Sequence, residues 1–166
     1  MRYFIASNLA ACFLILLMSG CSKPDNTVYR GTLYPPTKGV KVSFQPEKVE
    51  HSCKVFAHTV FTIPGPVSGK EISAKVLSEA KARGANLILV GMSRRGKDED
   101  ASYRVDYFGP DHDYLCADGW CGWKYGYDIL EKQEGWVSVG YEEWGNADVL
   151  YETPVILQAA FLRCYF

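Results

Sequence analysis

The sequence predicts an α+β domain in which a mostly antiparallel sheet carries one helix on one face. Three observations support this fold class. One stretch has the spacing and the caps of a helix, several short runs are typical of strands, and a region rich in Gly, Asp and aromatic residues is typical of hairpins. We expect the domain to cover residues 37–166, with the aromatic-rich hairpin excursion between residues 103 and 145.

The predicted helix has signals at both ends. Ser68 followed three residues later by Glu71 forms a capping box, and Gly84 is placed to end the helix. Between them the apolar residues recur at helical spacing, and oppositely charged pairs four residues apart lie on the other side. The apolar stripe consists of Ile72, Val76, Leu77 and Ala80, and the charged pairs are Glu71–Lys75 and Glu79–Arg83.

Strand-like runs flank this helix on both sides. Residues 39–44 alternate between apolar and polar, whereas residues 53–61 are apolar on both faces, which predicts a central strand. Residues 93–102 carry mixed charge and predict a solvated loop. The remaining predicted strands are residues 86–92, 103–108, 135–144 and a long C-terminal run of residues 151–166 that bends at Pro154.

The N-terminus has the layout of a secretory signal. Arg2 is the only charge in residues 1–20, an apolar run follows, and the small residues Ser19 and Gly20 precede an abruptly polar stretch. The apolar run is too short for a comfortable membrane span, which needs roughly 20 apolar residues. We therefore expect cleavage and predict residues 1–20 to be a signal peptide.

The cysteine that ends this segment indicates a lipid anchor. "MSGC" at residues 18–21 resembles the lipobox of bacterial lipoproteins, which implies that Cys21 becomes the mature N-terminus and carries acyl chains such as palmitate. Ser22, being other than Asp, implies sorting to the outer membrane. Residues 21–36 would then be the lipidated cysteine and a tether that holds a periplasmic domain near the membrane. An ordinary secretory signal with an incidental cysteine is the alternative.

The charge balance argues against one class of partner. Removal of residues 1–20 takes away Arg2 and leaves 17 basic against 19 acidic side chains. A nearly neutral chain has no electrostatic footprint for nucleic acid. The lipobox resemblance instead implies the membrane as a partner, bound through acyl chains on Cys21, and we also expect an envelope protein as a partner.

Four cysteines remain after the signal and the lipid site are set aside. An even number in an exported chain predicts two disulfides in an oxidising compartment. "CADGWC" has a hairpin-forming Asp-Gly at its centre, which favours Cys116–Cys121 and leaves Cys53–Cys164. The crossed pairings stay open, and a zinc site of four cysteines is a rival that the compartment disfavours.

The aromatic hairpin is the best candidate for a binding surface. It holds all four Trp and many Tyr, more rings than one small core accommodates easily. Exposed Trp and Tyr suit protein interfaces or stacking on sugars. The alternative is that the rings fill a second small core, stapled by Cys116–Cys121. The candidate binding residues are Trp120, Trp123, Tyr125, Trp136 and Trp144.

Two stretches resemble a known family. "EISAKVLSEAKARGANLILV" at residues 71–90 and "LYPPTKGVKVSF" at residues 33–44 are similar to small bacterial envelope lipoproteins of the RcsF type and related uncharacterised lipoproteins. The resemblance covers residues 33–92 and the final strand. It implies a compact α/β domain on a tether, two disulfides, and an outer-membrane stress sensor that acts through partner proteins.

No catalytic pattern is complete in the chain. Ser78 and Lys81 match S-x-x-K, but the accompanying motifs of penicillin-interacting enzymes are missing. His51 and His58 flank or lie in the Cys53 strand, where a histidine is more often packed or exposed than a metal ligand. His112 with Asp111 and Asp113 could bind a metal ion, but "DHD" lacks the remaining spacing of a calcium loop. We therefore expect no cofactor, no metal and no enzymatic activity, but an envelope lipoprotein that acts through protein contacts in sensing or maintenance. The alternative is a module that binds cell-envelope glycan or a small ligand.

Overall fold

The computed structural model describes residues 31–98, 100–112, 122–125 and 137–165. Within these residues one α-helix accompanies a five-stranded sheet and a two-stranded sheet, which confirms the predicted α+β class. The elements are β1 (Lys41–Ser43), a 3-10 turn (Pro46–Lys48), β2 (Cys53–Ile63), β3 (Val67–Ser68), α1 (Gly69–Ala82), β4 (Leu87–Arg95), β5 (Arg104–Phe108), β6 (Leu150–Tyr151) and β7 (Val155–Cys164).

The larger sheet is mostly antiparallel. Its strand order is β1-β4-β7-β2-β5, and only β1 and β4 run parallel. β2 lies between β7 and β5, so the prediction of a central strand is confirmed. The smaller sheet pairs β3 with β6 in antiparallel fashion.

The ends of α1 follow the sequence signals. The Ser68 hydroxyl accepts a hydrogen bond from the Glu71 N–H at 3.2 Å, and the Glu71 carboxylate accepts from the Ser68 N–H at 2.8 Å. Gly84 has φ +82°, in the left-handed region, and a Cβ there would lie 2.5 Å from the Tyr34 Cβ. Gly84 is therefore required both by the backbone conformation and by the close approach of Tyr34.

One face of the sheet, the first face, belongs to the main hydrophobic core. Cross-strand partners share a face, so Phe61 and Leu157 lie on the same side as Ala159. These residues fall in one cluster of buried residues with Ile72 and Val76 of α1. The apolar stripe of the helix and the first face thus contribute to one core.

The opposite face, the second face, is crossed by residues 122–125. This face carries His58, paired with Ala160, and Gln158, paired with Val60. The fully buried Gln158 side chain accepts from the Lys124 N–H at 3.0 Å and donates to the Gly122 carbonyl at 3.0 Å. One core amide therefore fixes a segment of the aromatic-rich region on the sheet.

A disulfide joins Cys53 and Cys164, as predicted. The two residues are register partners at the first position of β2 and the last of β7, with Cα atoms 3.8 Å apart. Asn86 clamps the same strand end, because its side chain donates to the Cys164 carbonyl at 2.8 Å and accepts from the Cys164 N–H at 2.7 Å. The predicted Cys116–Cys121 pair lies outside the described residues.

Two strand predictions were wrong in part. Residues 137–144, the described part of the strand predicted at residues 135–144, form irregular chain and a turn. Gly140 donates its N–H to the Glu143 carboxylate at 2.8 Å, and the Trp144 N–H donates to the Gly140 carbonyl at 2.9 Å, which makes one helical turn. β4 continues to Arg95, so residues 93–95 are strand and not loop.

The end of the predicted tether lies against the domain. The Tyr34 ring is 5.0 Å from the Phe56 ring, edge to face, and the Arg163 guanidinium lies over Tyr34 at 5.6 Å. The Thr37 N–H donates to the Lys81 carbonyl at 3.1 Å. Within the part of the chain that the structure describes, no helix has the length and hydropathy needed to cross a membrane.

Candidate functional site

The described aromatic candidates lie in two separate groups. Trp123 and Tyr125 belong to the histidine cluster, which we define as His58, Phe108, His112, Trp123 and Tyr125 on the second face. Trp144 belongs to the tyrosine patch, defined below. Of the other candidates, Trp120, Trp136, Cys21, Cys116 and Cys121 lie outside the described residues.

Trp123 is held from several sides in the histidine cluster. Its ring stacks on His58 with centroids 4.6 Å apart at 17°, and it meets Phe108 edge to face at 5.3 Å. Its indole Nε1–H donates to the His112 carbonyl at 2.8 Å. These contacts fix the ring in place, so Trp123 is half-buried and not a freely presented side chain.

His58 and Tyr125 form a neutral hydrogen-bonded pair. The His58 Nδ1 lies 2.7 Å from the Tyr125 Oη. Burial lowers the pKa of His58, and burial raises the pKa of Tyr125, so each ring stays uncharged near neutral pH. The imidazole nitrogen and the hydroxyl share one hydrogen bond, and the tautomer of the imidazole decides which of them donates.

The histidine cluster has the character of a small core. The Tyr125 hydroxyl bonds the His58 Nδ1, and the Trp123 indole N–H bonds a backbone carbonyl. Among the described residues no group of three or more His, Cys, Asp or Glu is placed to hold a metal ion. For Trp123 and Tyr125, the interpretation as a second core is therefore favoured over the interpretation as a contact surface.

The tyrosine patch consists of Phe44, Tyr141 and Trp144. Phe44 meets Trp144 edge to face at 5.7 Å and Tyr141 at 6.3 Å. Trp144 packs against the main core, whereas Tyr141 is 80% exposed. A cavity of about 320 Å³ opens beside the rings and is lined by Val42, Ser43, Phe44, Gln45, Lys48 and Tyr141.

The start of α1 positions the patch. The Gly145 N–H donates to the Gly69 carbonyl at 3.3 Å, and the Lys70 N–H donates to the Asn146 carbonyl at 2.9 Å. A Cβ at Gly69 would lie 2.0 Å from the Glu143 carbonyl oxygen, so only glycine allows this approach. The turn that carries Tyr141 is therefore docked on the helix start by backbone contacts.

A polar group made of Glu79, Arg83 and Tyr107 links α1 to β5. The Arg83 Nε donates to Glu79 Oε1 at 2.9 Å, which gives the predicted ion pair, and the Tyr107 hydroxyl donates to the same carboxylate. The Arg83 guanidinium also lies over the Tyr107 ring at 4.7 Å. Burial raises the pKa of Tyr107, so its proton is held, and the group serves to join helix and strand.

Sequence reasoning named Trp144 but missed its neighbours as binding residues. Tyr141 had a local signal, because Gly140 and the Gly145-Asn146 pair bracket it with turn-forming residues. Phe44 lies almost a hundred residues earlier in the chain, on the run that forms β1. Only the tertiary fold brings it to Tyr141.

Comparisons of the chain with protein-family models, with curated proteins and with solved structures each return no match. The resemblance to RcsF-type lipoproteins therefore stays a prediction from the two quoted stretches.

Proposed function

We propose that this protein is an outer-membrane lipoprotein, anchored through Cys21 and facing the periplasm, that acts without catalysis by binding another envelope protein in sensing or maintenance. The N-terminal segment supports the proposed location and lipid anchor, because its layout is that of a secretory signal that ends in a lipobox-like "MSGC". The Cys53–Cys164 disulfide fits the oxidising environment outside the inner membrane.

The observation that carries the contact function is the exposed Tyr141 beside a cavity. Tyrosine supplies a large contact area at low entropic cost, and it is common among the residues that dominate binding energy. The backbone contacts between the turn and Gly69 position the backbone that carries Tyr141, and the ring meets Phe44 edge to face, which lowers the cost of ordering it.

The lining of the cavity indicates what a partner would insert. Val42 and Phe44 offer apolar surface, and Lys48 contributes a positive charge at the same opening. An apolar or aromatic side chain next to a carboxylate would complement this combination. The proposed partner therefore presents such a pair on its surface.

Cross-linking in cells tests the contact surface. A photo-reactive residue at Gln45 is expected to capture one discrete protein, because this position lines the cavity and leaves Lys48 in place. Tyr141→Ala should abolish that product, whereas the matched variant Tyr103→Ala, whose ring is 41% exposed and lies near Lys75, should leave it unchanged. Equal products from a probe at exposed Lys81 would contradict a specific surface.

The same cavity supports a second candidate function, the binding of envelope glycan or a small ligand. Its volume of about 320 Å³ is of the size that small-molecule sites have. Trp144 contacts Phe44 at the cavity and can report occupancy by fluorescence. Cell-wall fragments should then change the emission of the protein but not that of Tyr141→Ala. No change at any concentration would eliminate this candidate.

The anchor has its own test. Mass spectrometry of the mature N-terminus is expected to show an acylated cysteine at position 21. An unmodified Cys21, or a mature chain that begins elsewhere, would contradict the lipid anchor without affecting the contact surface.

A further inference from the structure

A row of four side chains crosses the second face at the end of the sheet far from the disulfide. Arg94 pairs with Ile156, Ile156 pairs with Thr62, and Thr62 pairs with Arg104. Cross-strand partners project to the same side, so the two arginines flank a floor made by Ile156 and Thr62. With strands about 4.8 Å apart, their Cα atoms are roughly 14 Å apart, a gap that two arginine side chains can close.

The described residues of the connection between β4 and β5, 96–98 and 100–102, line a cavity together with this row. The Gly96 N–H donates to the Pro154 carbonyl at 2.6 Å, which ties the start of the connection to the sheet. Asp98 then forms a turn, since its carboxylate accepts from the Asp100 N–H at 3.1 Å. The result is a cavity of about 300 Å³, whose lining includes the four residues of the row together with Arg95 and Lys97.

Among the described residues of the lining, the cations outnumber the carboxylates. Arg94, Arg95, Lys97 and Arg104 stand against the two carboxylates Asp98 and Asp100. The Asp98 carboxylate is engaged by a backbone N–H. Arg104 bonds the Asp106 carboxylate through Nε at 3.0 Å, a contact that uses one of the five N–H donors of its guanidinium.

We infer that this cavity binds a small phosphorylated ligand, with the phosphate between the arginines and a short organic body over Ile156. Guanidinium forks match phosphate oxygens, and Lys97 adds a point charge from the covering loop. Cations placed on both sides of the floor suit a tetrahedral anion, whose oxygens point in several directions, better than a planar carboxylate. The Thr62 hydroxyl adds a neutral hydrogen-bonding group at the floor.

This site is independent of the proposed contact function. Its lining shares no residue with the cavity beside Tyr141. Failure of one proposal therefore leaves the other standing, and the variants that test them do not overlap.

Calorimetry on the mature chain in nonionic detergent tests the site. The probes are inorganic phosphate, glycerol 3-phosphate as a monoester, glycerophosphoglycerol as a lipid-headgroup diester, and succinate as a carboxylate, all at constant ionic strength. Saturable binding of at least one phosphate probe is expected. Arg104→Gln and Lys97→Gln should each weaken it roughly tenfold, as the loss of one charge-assisted bond does.

The control removes the same charge elsewhere. Lys54→Gln changes an exposed lysine near the opposite end of β2 and should alter the affinity less than about twofold.

Preference for the diester identifies a lipid headgroup as the source, and preference for a monoester or for inorganic phosphate identifies a free phosphate compound. Succinate binding as tightly as the phosphates, an absence of saturable heat, or equal weakening by Lys54→Gln would overturn the inference. Lys97→Gln, in an exposed loop, keeps the test valid if Arg104→Gln fails to fold.

Discussion

Gln158 illustrates at the scale of one residue how the aromatic-rich region is attached. The side chain is fully buried, and both of its polar atoms bond the backbone of the 122–125 segment. A buried amide in the middle of an apolar strand is costly unless its partners are fixed. The 122–125 segment thus supplies the hydrogen-bonding partners that offset the cost of burying the Gln158 amide. Gln158 in turn places Trp123 over His58.

Gln158→Leu should therefore destabilise the protein and loosen Trp123 together. The substitution leaves the Lys124 N–H and the Gly122 carbonyl, both in half-buried residues, without their partner, at about 1 kcal/mol or slightly more for each group. We expect urea unfolding to show a loss of about 2–3 kcal/mol with a change in tryptophan emission. The control Thr59→Val removes a bond to the Ala159 carbonyl on the first face and should cost about 1 kcal/mol with emission unchanged. Unaltered emission in Gln158→Leu would contradict the attachment.

His58 predicts a dependence of stability on pH. Burial lowers its folded-state pKa below the unfolded value of about 6.5, so the unfolded chain binds more protons in acid. The stability that neutral His58 provides is present above pH 6.5 and is lost as pH falls through the folded pKa. Tyr125, Asp111 and His112 face the ring, and of these Asp111 raises its pKa while His112 lowers it.

The measurement is the free energy of unfolding between pH 7.5 and 5 in three chains. His58→Gln should show a shallower loss of stability toward acid than the parent chain, because one proton uptake on unfolding is removed. His51→Gln changes an exposed histidine and should keep the slope of the parent. Identical slopes in all three chains would show that His58 titrates alike when folded and unfolded.

Individual elements were predictable where local chemistry decides them. The Ser68–Glu71 capping box and the positive φ of Gly84 depend on neighbours in sequence, and both α1 boundaries follow from them. The 135–144 prediction was wrong in its described part because Val137 and Val139 alternate as in a strand yet pack on the core without a strand neighbour. The Ser93 hydroxyl donates to the Val137 carbonyl instead, a long-range bond that no local pattern encodes.

The hydrogen bond between Tyr107 and Glu79 joins β5 to α1, and we predict that it contributes to the stability of the protein. Tyr107→Phe keeps the ring under Arg83 but removes the hydroxyl that joins β5 to α1. We expect a loss of about 1 kcal/mol, as for one hydrogen bond to a partly exposed charged group. Tyr103→Phe is the matched control, because its ring is more exposed and it precedes the strand. Equal stability of the two variants would show that the helix–strand bond adds nothing.

At the scale of the molecule, the sequence predicted the fold class better than it predicted the candidate surfaces. Cys53 and Cys164 could be paired because the Asp-Gly turn favoured Cys116–Cys121 and left these two, and the antiparallel strands β2 and β7 bring them together. The Tyr141 patch and the arginine row both need residues that lie far apart in sequence to meet through strand order. Register across four strands cannot be read from any one of them, so neither surface was predicted.

The Cys53–Cys164 bond carries the last prediction, because it closes nearly the whole described domain. It joins residues 111 positions apart at one end of β2 and β7. A cross-link of that span restricts the unfolded chain strongly, and its removal should cost about 2–5 kcal/mol. The double variant Cys53→Ala/Cys164→Ala should therefore unfold at lower urea concentration with the native far-UV spectrum retained. The wild-type chain under reductant should lose at least as much stability, since reduction also opens any pair between Cys116 and Cys121. Unchanged stability in the double variant would mean that Asn86 and the strand ladder alone hold this end of the sheet.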